Sequence, residues 1–160
     1  PWSRRRGIRE RIHRQHKKAR DIVEDWAKKT AKRIVEEARE RQYAVAIEDL
    51  TGLREAIREL PKEHRTKMTL LAYRRLLWWI KWQATKRGVV VVEVYPRGTS
   101  TTCPKCGGKM DEVGHRHMKC IACGFEEDRD IVAVLNIEKR AKNVLNNPSF
   151  SPLVALTPFV

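Results

Sequence analysis

Residues 99–124 read TSTTCPKCGGKMDEVGHRHMKCIACG and contain two matched Cys-x-x-Cys-Gly motifs. The cysteine pairs are Cys103–Cys106 and Cys120–Cys123, separated by the 13 residues 107–119. Each pair closes a tight loop whose backbone amides can donate to the sulfurs, and the glycine that follows permits a positive φ. Two such loops supply four thiolates, the ligand set of a closed tetrahedral zinc site. The spacing therefore predicts a structural zinc ribbon, although iron also binds such clusters.

Two histidines and several basic residues accompany the cysteines. Because four cysteines already fill a tetrahedral site, we predict that His115 and His117 are exposed loop residues rather than ligands. Disulfides are the alternative use of four cysteines, but they require an oxidising compartment, which nothing in the sequence indicates. The segment is also positively charged, through Arg97, Lys105, Lys109, Arg116 and Lys119.

The net charge favours a polyanionic partner. The 160 residues include 34 Lys and Arg against 20 Asp and Glu, a formal charge of +14. This surplus argues against an ordinary neutral metabolic enzyme and favours nucleic acid. Residues 1–20 hold nine basic residues and one acid, and residues 62–87 hold eight and one. Solvated helix faces are the plainer interpretation, but such clustering favours nucleic-acid contact. No apolar run reaches the roughly 18 residues of a membrane-spanning helix, so no membrane partner is expected.

The apolar pattern predicts alternating helices and strands. We expect helices over 8–41, over 66–87 and after an N-cap at Asp128, and strands over 43–47 and 89–94. Residues 53–65 are predicted as a loop or short helix, and the tail 148–160 as loosely ordered. Because two strands make a poor independent sheet, the sequence predicts an α/β fold whose first strands are missing from this chain.

The same pattern predicts which helix faces are buried. For the first helix the predicted face consists of Ile8, Ile12, Ala19, Ile22, Val23, Trp26, Ala27, Ile34, Val35 and Ala38. For the last helix it consists of Ile131, Val134, Leu135, Ala141 and Leu145. At their helical spacing Trp78, Trp79 and Trp82 are predicted as core residues, with base stacking as the alternative.

Two carboxylates stand at the ends of predicted elements. Glu48 follows an apolar strand, and Asp130 opens the last helix. Phosphodiester hydrolysis with Mg²⁺ needs oxygen ligands from several elements, and these two are suitable donors. The plainer interpretation is a solvated turn acid for Glu48 and a helix-dipole complement for Asp130, which the residues alone favour. The same roles are open to Asp49, Asp128, Glu126 and Glu127.

Three motifs in this order carry a family resemblance: Ile47-Glu-Asp-Leu50, Thr99-Ser-x-x-Cys103-x-x-Cys106-Gly107, and Asp128-Arg-Asp130. Together with Cys120-x-x-Cys123-Gly124, they resemble the TnpB (OrfB) proteins of bacterial and archaeal insertion sequences. The resemblance extends over roughly residues 5–140. A single motif would be weak, whereas this ordered combination is specific.

The resemblance implies a partial RNase H-like (RuvC) fold with an inserted zinc ribbon, similar to the nuclease of type V CRISPR effectors. The expected divisions are a RuvC-like part over 1–95, the ribbon over 96–127, the last helix over 128–147 and a tail over 148–160. Family members are implied to be RNA-guided DNA endonucleases of transposons, long called transposases. Their location would be the cytoplasm of a prokaryote.

The resemblance also assigns residues. Glu48 and Asp130 match the second and third catalytic carboxylates, which would bind Mg²⁺, and the four cysteines would bind zinc. The family's first catalytic Asp lies upstream of Pro1, so we expect an inactive C-terminal fragment. A further departure is Val132, where the family usually has Asn. DNA and a guide RNA are the implied partners, with expected contacts at Arg4, Arg5, Arg6, Arg97, Lys105, Arg116 and Arg129.

Two further expectations complete this set. A sheet with unpaired strand edges can associate through them, so a homodimer is a possible assembly. A non-catalytic nucleic-acid-binding zinc-ribbon module is the alternative function, because basic ribbons also occur in proteins where no carboxylate has a role.

Overall fold

The computed structural model describes residues 2–51 and 73–148, with the side chains of residues 2–6 left out. The loop predicted over 53–65 and residues 149–160 of the predicted tail lie outside the described residues. Within them the chain has the expected mixed α/β composition. The helices are α1 (Trp2–Glu40), α2 (Tyr73–Arg87) and α3 (Arg129–Leu145). The strands are β1 (Val45–Glu48), β2 (Val91–Val94), β3 (Met110–Gly114), β4 (His117–Cys120) and β5 (Glu126–Asp128).

The described residues form two compact units, one containing α1 and α2 and the other containing the strands and α3. In the first unit the two helices pack along a seam of small residues. The buried residues of the seam are Ala27, Ala31, Val35 and Ala38 of α1, and Ile80 and Ala84 of α2. Their spacing places them on one face of each helix. Gly88, with φ +67°, follows the end of α2 as predicted.

The predicted buried face of α1 is confirmed in part: Ala27, Val35 and Ala38 are buried, whereas four large residues of the same face are exposed. Ile8, Ile12, Ile22 and Trp26 have exposures between 51% and 60%. The side-chain contacts of the described α2 include Glu24 and Glu36 of α1, both C-terminal to the three exposed isoleucines. Ile22 also projects away from the seam that begins at Ala27. The sequence pattern identified the apolar residues of α1, but it did not indicate which face of the helix packs against α2.

In the second unit β1 and β2 form a parallel pair, with Val45 opposite Val91 and Glu48 opposite Val94. The last helix packs on this pair. The shared core consists of Val92, Val94 and Ala141, with Ala46, Val90, Ile137 and Val144 packed against it. Because the strands are parallel, their carboxyl ends, including Glu48, lie at one edge of the pair.

Of the predicted buried face of α3, only Ala141 is buried, and the other four residues are wrong. Ile131, Val134, Leu135 and Leu145 are exposed, and the buried residues are Val132, Asn136 and Ala141. The reason is that α3 packs against two different surfaces. Val132, near its start, packs against the cysteine-rich segment, and Ala141, near its end, packs against β2. The N-cap at Asp128 is confirmed, since its side chain accepts a hydrogen bond from the Asp130 backbone.

Strands β3, β4 and β5 form an antiparallel sheet in the order β3-β4-β5. With the two cysteine loops they make up residues 102–128, here called the cysteine ribbon. Its buried cluster consists of Cys103, Met110, Met118, Cys120 and Val132, with Phe125 packed against it. Two of these five buried side chains are cysteines, so the core of the ribbon and its sulfur cluster are one structure. None of the described helices has the length and apolar character needed to cross a bilayer.

Candidate functional site

The two cysteine loops have the same backbone geometry. Gly107 donates to the carbonyl of Cys103 at 2.9 Å, and Gly124 donates to that of Cys120 at 3.0 Å. The two glycines have φ of +78° and +71°, as the sequence predicted. The Cys103 amide donates to Gly108, and the Cys120 amide donates to Phe125, each at 2.8 Å. The repeated motif therefore folds into two matched loops.

These loops bring four sulfurs together. The Sγ atoms of Cys103, Cys106, Cys120 and Cys123 all lie within 4.8 Å of one another. The closest pairs are Cys103–Cys123 at 3.6 Å and Cys106–Cys120 at 3.5 Å. A Zn–S bond of about 2.3 Å in a tetrahedron requires sulfurs about 3.8 Å apart, so the cluster fits a tetrahedral metal ion. The four predicted ligands are thus the residues that the fold assembles.

The pKa values of the cysteine thiols also favour the binding of a metal cation. The backbone N–H of Cys123 is the largest influence on Cys120 and helps to lower its pKa to about 6. Burial raises the pKa of Cys103, but backbone N–H donors at Cys106 and Lys105 outweigh it and lower the pKa overall. The Phe125 N–H lowers the pKa of Cys123, but the sulfurs of Cys106 and Cys120 raise it to about 12. The loops stabilise thiolates that repel one another unless a metal ion is bound.

Gly108 permits the close approach of the two loops. A Cβ on Gly108 would lie 3.2 Å from the Ala122 Cβ, 3.3 Å from the Cys106 sulfur and 3.5 Å from the Cys120 sulfur. Its amide also donates to the Cys106 sulfur at 3.4 Å. Sequence analysis did not single out this glycine, because its importance depends on the second loop, 14 residues away.

His115 and His117 are exposed, as predicted, but His117 lies in β4 rather than in a loop. His117 Nε2 lies 3.5 Å from the Glu126 carboxylate and is not part of the four-sulfur cluster. Glu126 also pairs with Lys119, and this hydrogen bond is the main reason that the pKa of Glu126 is lowered. The Glu126 carboxylate therefore forms ion pairs on the exposed surface of the ribbon.

Glu48 is half-buried at the carboxyl end of β1. Its Oε1 accepts a hydrogen bond from the Thr99 hydroxyl at 2.8 Å. The plainer interpretation of Glu48 as a solvated turn acid does not account for this contact, because Thr99 itself is buried. Thr99 lies within one of the quoted motifs, but the sequence did not indicate that it reaches Glu48.

Asp130 lies in the first turn of α3, where its carboxylate is exposed. It forms an ion pair with Arg116 of the turn between β3 and β4. Arg116 has φ +59°, and its carbonyl accepts from the Arg129 amide at 2.7 Å. Glu48 and Asp130 thus belong to the same unit, each with its own polar partner, and their convergence on one cation stays a prediction.

The predicted nucleic-acid contacts stay predictions, and only some of their side chains are described. The side chains of Arg4, Arg5 and Arg6 lie outside those described, although their backbone continues α1. Arg97, Lys105, Arg116 and Arg129 are exposed. Lys105 Nζ lies 4.4 Å from the centre of the Phe125 ring. Exposure makes these four residues accessible to a phosphate but does not test whether they bind one.

The three tryptophans of α2 differ in environment. Trp79 is half-buried, and its Nε1 donates to Glu24 Oε1 at 2.8 Å. Trp78 and Trp82 are 41% and 44% exposed, so the prediction that they are core residues is wrong. Both contact Trp79 edge to face, with ring centroids 4.6 Å apart for Trp78 and 5.3 Å apart for Trp82. Trp79 is anchored to α1, and the outer two indoles have exposed surface.

Comparison with known proteins supports the family resemblance. The family model for the Cas12f1-like TNB domain matches residues 73–137. A TnpB-like protein of Methanocaldococcus jannaschii is 36% identical over 122 residues, which cover 76% of this chain. A shorter protein of the same archaeon, whose name marks it as a candidate transposase, is 35% identical over 79 residues. That match covers 44% of this chain and 72% of the shorter protein.

Two CRISPR-associated proteins are also similar. The endodeoxyribonuclease Cas12f2 of a Micrarchaeota archaeon is 30% identical over 147 residues, covering 82% of this chain and 27% of that protein. The cryo-EM structure of a Cas12f1–sgRNA–target DNA complex shares the fold, with a TM-score of 0.62 at 22% identity. That match covers 93% of this chain and 40% of the Cas12f1 chain.

The chain spans 44% of the length of the M. jannaschii TnpB-like protein. The family model covers α2, β2, the cysteine ribbon and the first half of α3, which contain both Cys-x-x-Cys-Gly motifs and Asp128-Arg-Asp130. On these similarities the chain belongs to the TnpB/OrfB family.

Proposed function

We propose that this chain is the C-terminal part of a RuvC-like, Mg²⁺-dependent and RNA-guided DNA endonuclease of a transposon. The single observation that carries the proposal is the position, in a TnpB family member, of Glu48 at the end of β1 and of Asp130 in the first turn of α3. Similarity to Cas12f proteins, named as endodeoxyribonucleases, supports the reaction class. The parallel β1–β2 pair covered by α3 supports a partial RNase H-like fold.

In this proposal Glu48 and Asp130 would hold Mg²⁺ through carboxylate oxygens. A further ligand, the family's first carboxylate, would come from outside these 160 residues. When bound, Mg²⁺ supplies charge that activates water and stabilises the leaving oxygen. The residues of this chain bind the metal, hold their carboxylates in position and bind DNA phosphates through Arg97, Arg116 and Arg129. Because these contacts are charge-charge, binding should weaken with salt.

Zinc is the proposed ion for the cysteine ribbon. Four thiolates with no open position suit a structural zinc rather than a catalytic one. Binding would fold a segment whose buried core has only a few apolar side chains. The exposed Lys105 and Arg116 would then face DNA or guide RNA on a ribbon made rigid by the metal.

Mn²⁺ binding to the zinc-loaded chain tests the carboxylate assignment. Amide signals near Glu48 and Asp130 should broaden on addition of paramagnetic Mn²⁺. Glu48→Gln and Asp130→Asn should each reduce the broadening at both positions. Glu138→Gln, which changes an exposed α3 carboxylate paired with Lys142, is the matched control and should have no effect. Broadening that is absent at both positions, or unchanged in the two variants, would contradict the endonuclease assignment.

A non-catalytic nucleic-acid-binding module is the second candidate. The observation in its favour is the Arg116–Asp130 ion pair, which already neutralises one of the two carboxylates. This function predicts salt-dependent DNA binding that is unaffected by Mn²⁺ and by Glu48→Gln.

A homodimer is a further proposal. Within the described part of the chain, β1 and β2 pair only with each other, so each strand has an edge open to association. Sedimentation equilibrium of the zinc-loaded chain measures the assembly, and a mass of 18.7 kDa at all concentrations would exclude the dimer.

A further inference from the structure

We infer that Thr99 is a positioning residue for Glu48, and that Asn136 fixes Thr99 so that the last helix sets the direction of the Glu48 carboxylate. The inference rests on the proposed function for the role of Glu48 as a metal ligand. The contacts themselves are independent of that role.

Thr99 is 5% exposed, and its hydroxyl is directed at two acceptors. The Oγ1 atom lies 2.8 Å from Glu48 Oε1 and 2.9 Å from the carbonyl of Pro96. A threonine hydroxyl has one hydrogen, and an ionised carboxylate is the stronger acceptor of the two. Donation to Oε1 holds one oxygen of Glu48, so a cation would bind mainly through Oε2.

Asn136 holds the backbone of the same segment. It is 6% exposed on the buried face of α3. Its Nδ2 donates to the carbonyl of Thr99 at 2.8 Å and to that of Thr102 at 2.7 Å. An amide NH₂ has two hydrogens, and both are used here. Since Thr102 immediately precedes Cys103, this side chain connects α3, Thr99 and the start of the cysteine ribbon.

The next turn of α3 continues this attachment. Arg140 donates through Nη2 to the carbonyl of Arg97 at 3.0 Å, and through Nη1 to that of Tyr95. Lys139 Nζ lies 3.3 Å from the carbonyl of Pro104. Three side chains of one helix therefore hold five carbonyls of residues 95–104.

As a consequence, the Glu48 carboxylate is oriented by the same helix that carries the Asp130 carboxylate. The helix that carries Asp130 in its first turn also carries Asn136, which holds Thr99, which contacts Glu48. Partners that orient a metal ligand in this way usually change metal affinity by about 10- to 100-fold when they are removed. The rival explanation is that Thr99 only stabilises its own turn through Pro96, in which case Glu48 would be insensitive to it.

The experiment uses the full chain loaded with zinc. Thr99→Val removes the hydroxyl at nearly constant shape, and Thr99→Ser restores it. Thr101→Val is the matched control, because Thr101 is an exposed threonine of the same segment. Asn136→Leu removes the amide. Loading with Co²⁺ gives an absorption spectrum of the four-sulfur site, which reports whether the ribbon is intact in each variant.

Two readouts are compared. The first is the ¹³Cδ resonance of Glu48 without any divalent cation besides the ribbon metal. The second is Mn²⁺ affinity from broadening of the Ile47 and Asp49 amides. We expect Thr99→Val to shift the Glu48 resonance and to weaken Mn²⁺ binding about tenfold. Thr99→Ser and Thr101→Val should remain close to wild type in both readouts. The Co²⁺ spectra of these two variants and of Thr99→Val should match that of the wild type. Asn136→Leu should shift the Glu48 resonance in the same direction as Thr99→Val.

The outcomes separate this inference from the proposed function. If Thr99→Val leaves both readouts unchanged, or if Thr101→Val moves them equally, the positioning role is overturned. If Mn²⁺ binds nowhere near Glu48 in the wild type, the proposed metal site fails. In that case the ¹³Cδ resonance still decides the inference, since a shift in Thr99→Val that Thr99→Ser reverses supports it.

Discussion

Arg116 and Asp130 form an ion pair that joins the turn between β3 and β4 to the first turn of α3. Both side chains are exposed, so the pair adds little to stability. A guanidinium that pairs with a carboxylate can also bind a phosphate, because both are anionic oxygen acceptors. Arg116 therefore has two possible partners, the carboxylate that would bind a metal and the backbone of a nucleic acid.

Replacing Arg116 should affect the two partners in opposite directions. In Arg116→Gln we expect tighter Mn²⁺ binding at Asp130, by up to about fivefold, since an exposed ion pair is worth at most about 1 kcal/mol. DNA affinity should fall, with a smaller salt dependence. Paramagnetic broadening and fluorescence anisotropy measure the two effects. Lys109→Gln, at another exposed basic residue of the ribbon paired with Asp111, should leave Mn²⁺ binding unchanged.

Gly108 should be required for metal binding by the ribbon. A methyl group there would lie within 3.2–3.5 Å of Ala122, Cys106 and Cys120. Gly108→Ala should therefore lower zinc affinity by about 5- to 150-fold, because crowding at a packed site typically costs 1–3 kcal/mol. Gly107→Asn is the control, since Gly107 has open space and Asn tolerates its positive φ. Competition with a chromogenic chelator gives both affinities, and equal values would contradict the steric argument.

Zinc binding should release protons. At pH 7 Cys120, with a pKa of about 6, is already a thiolate, whereas Cys123, with a pKa of about 12, is protonated. Zinc must therefore displace at least the Cys123 proton. Below pH 6 it must displace that of Cys120 as well, so affinity should fall more steeply there. Calorimetry in two buffers of different ionisation enthalpy counts the protons, and a count of zero at pH 7 would exclude this scheme.

The lowered pKa of Cys120 also affects the metal-free fold. Since its pKa falls from 9.0 to about 6, its contribution to stability is fully present above pH 9 and is lost as the pH falls through 6. The raised pKa of Cys123 acts in the opposite direction, because its contribution is present below pH 9 and is lost as the pH rises through 12. Amide protection factors of the metal-free ribbon, which correct for the base catalysis of exchange, should therefore be highest near pH 9 and fall toward pH 6 and pH 12.

Val132 should resist replacement by the residue usual in the family. It is fully buried in the ribbon cluster with Met110 and Met118. Val132→Asn would place an amide there and should destabilise the ribbon by about 1–3 kcal/mol. Val132→Ala, which removes two methyl groups without adding polarity, separates lost packing from buried polarity. Thermal unfolding of the zinc-loaded chain measures both, and an Asn variant as stable as wild type would refute the assignment of Val132 to the core.

The tryptophans of α2 should divide into one structural and two surface residues. Trp79→Phe loses the hydrogen bond to Glu24 and should destabilise the α1–α2 unit by about 1–2 kcal/mol. Trp82→Leu should destabilise the unit less, by about 0.5–1 kcal/mol, because it loses only the edge-to-face contact with Trp79. If the exposed indole stacks on bases, the same change should weaken binding of single-stranded DNA about tenfold. Circular dichroism and oligonucleotide titrations test the two parts separately.

Local features were predictable because they depend on residues close in sequence. The cysteine loops, the positive φ of Gly107 and Gly124, the Asp128 cap and the end of α2 at Gly88 follow from turn and cap chemistry within a few residues. The position of Glu48 at a strand end follows from the apolar run before it. The four-sulfur cluster needed only the assumption that two equal loops face one metal ion.

Features that join distant residues were not predictable. The buried stripe of α3 depends on two surfaces, so an apolar count selected Ile131 and Val134 where the structure buries Val132 and Asn136. The contact between Thr99 and Glu48 spans 51 positions, and that between Asn136 and Thr99 spans 37. Periodicity cannot report which side chains meet across such separations.

The sequence by itself determined the composition of the chain, the two sulfur-bearing loops and the chemistry available at the ends of β1 and α3, because short-range sterics and charge decide these. Only the tertiary structure decided that Thr99 donates to Glu48, that Arg116 pairs with Asp130 and that Val132 completes the ribbon core. These contacts exist because the packing of α3 fixes the segment 95–104 against the strands, and packing is a property of surfaces that meet far apart along the chain.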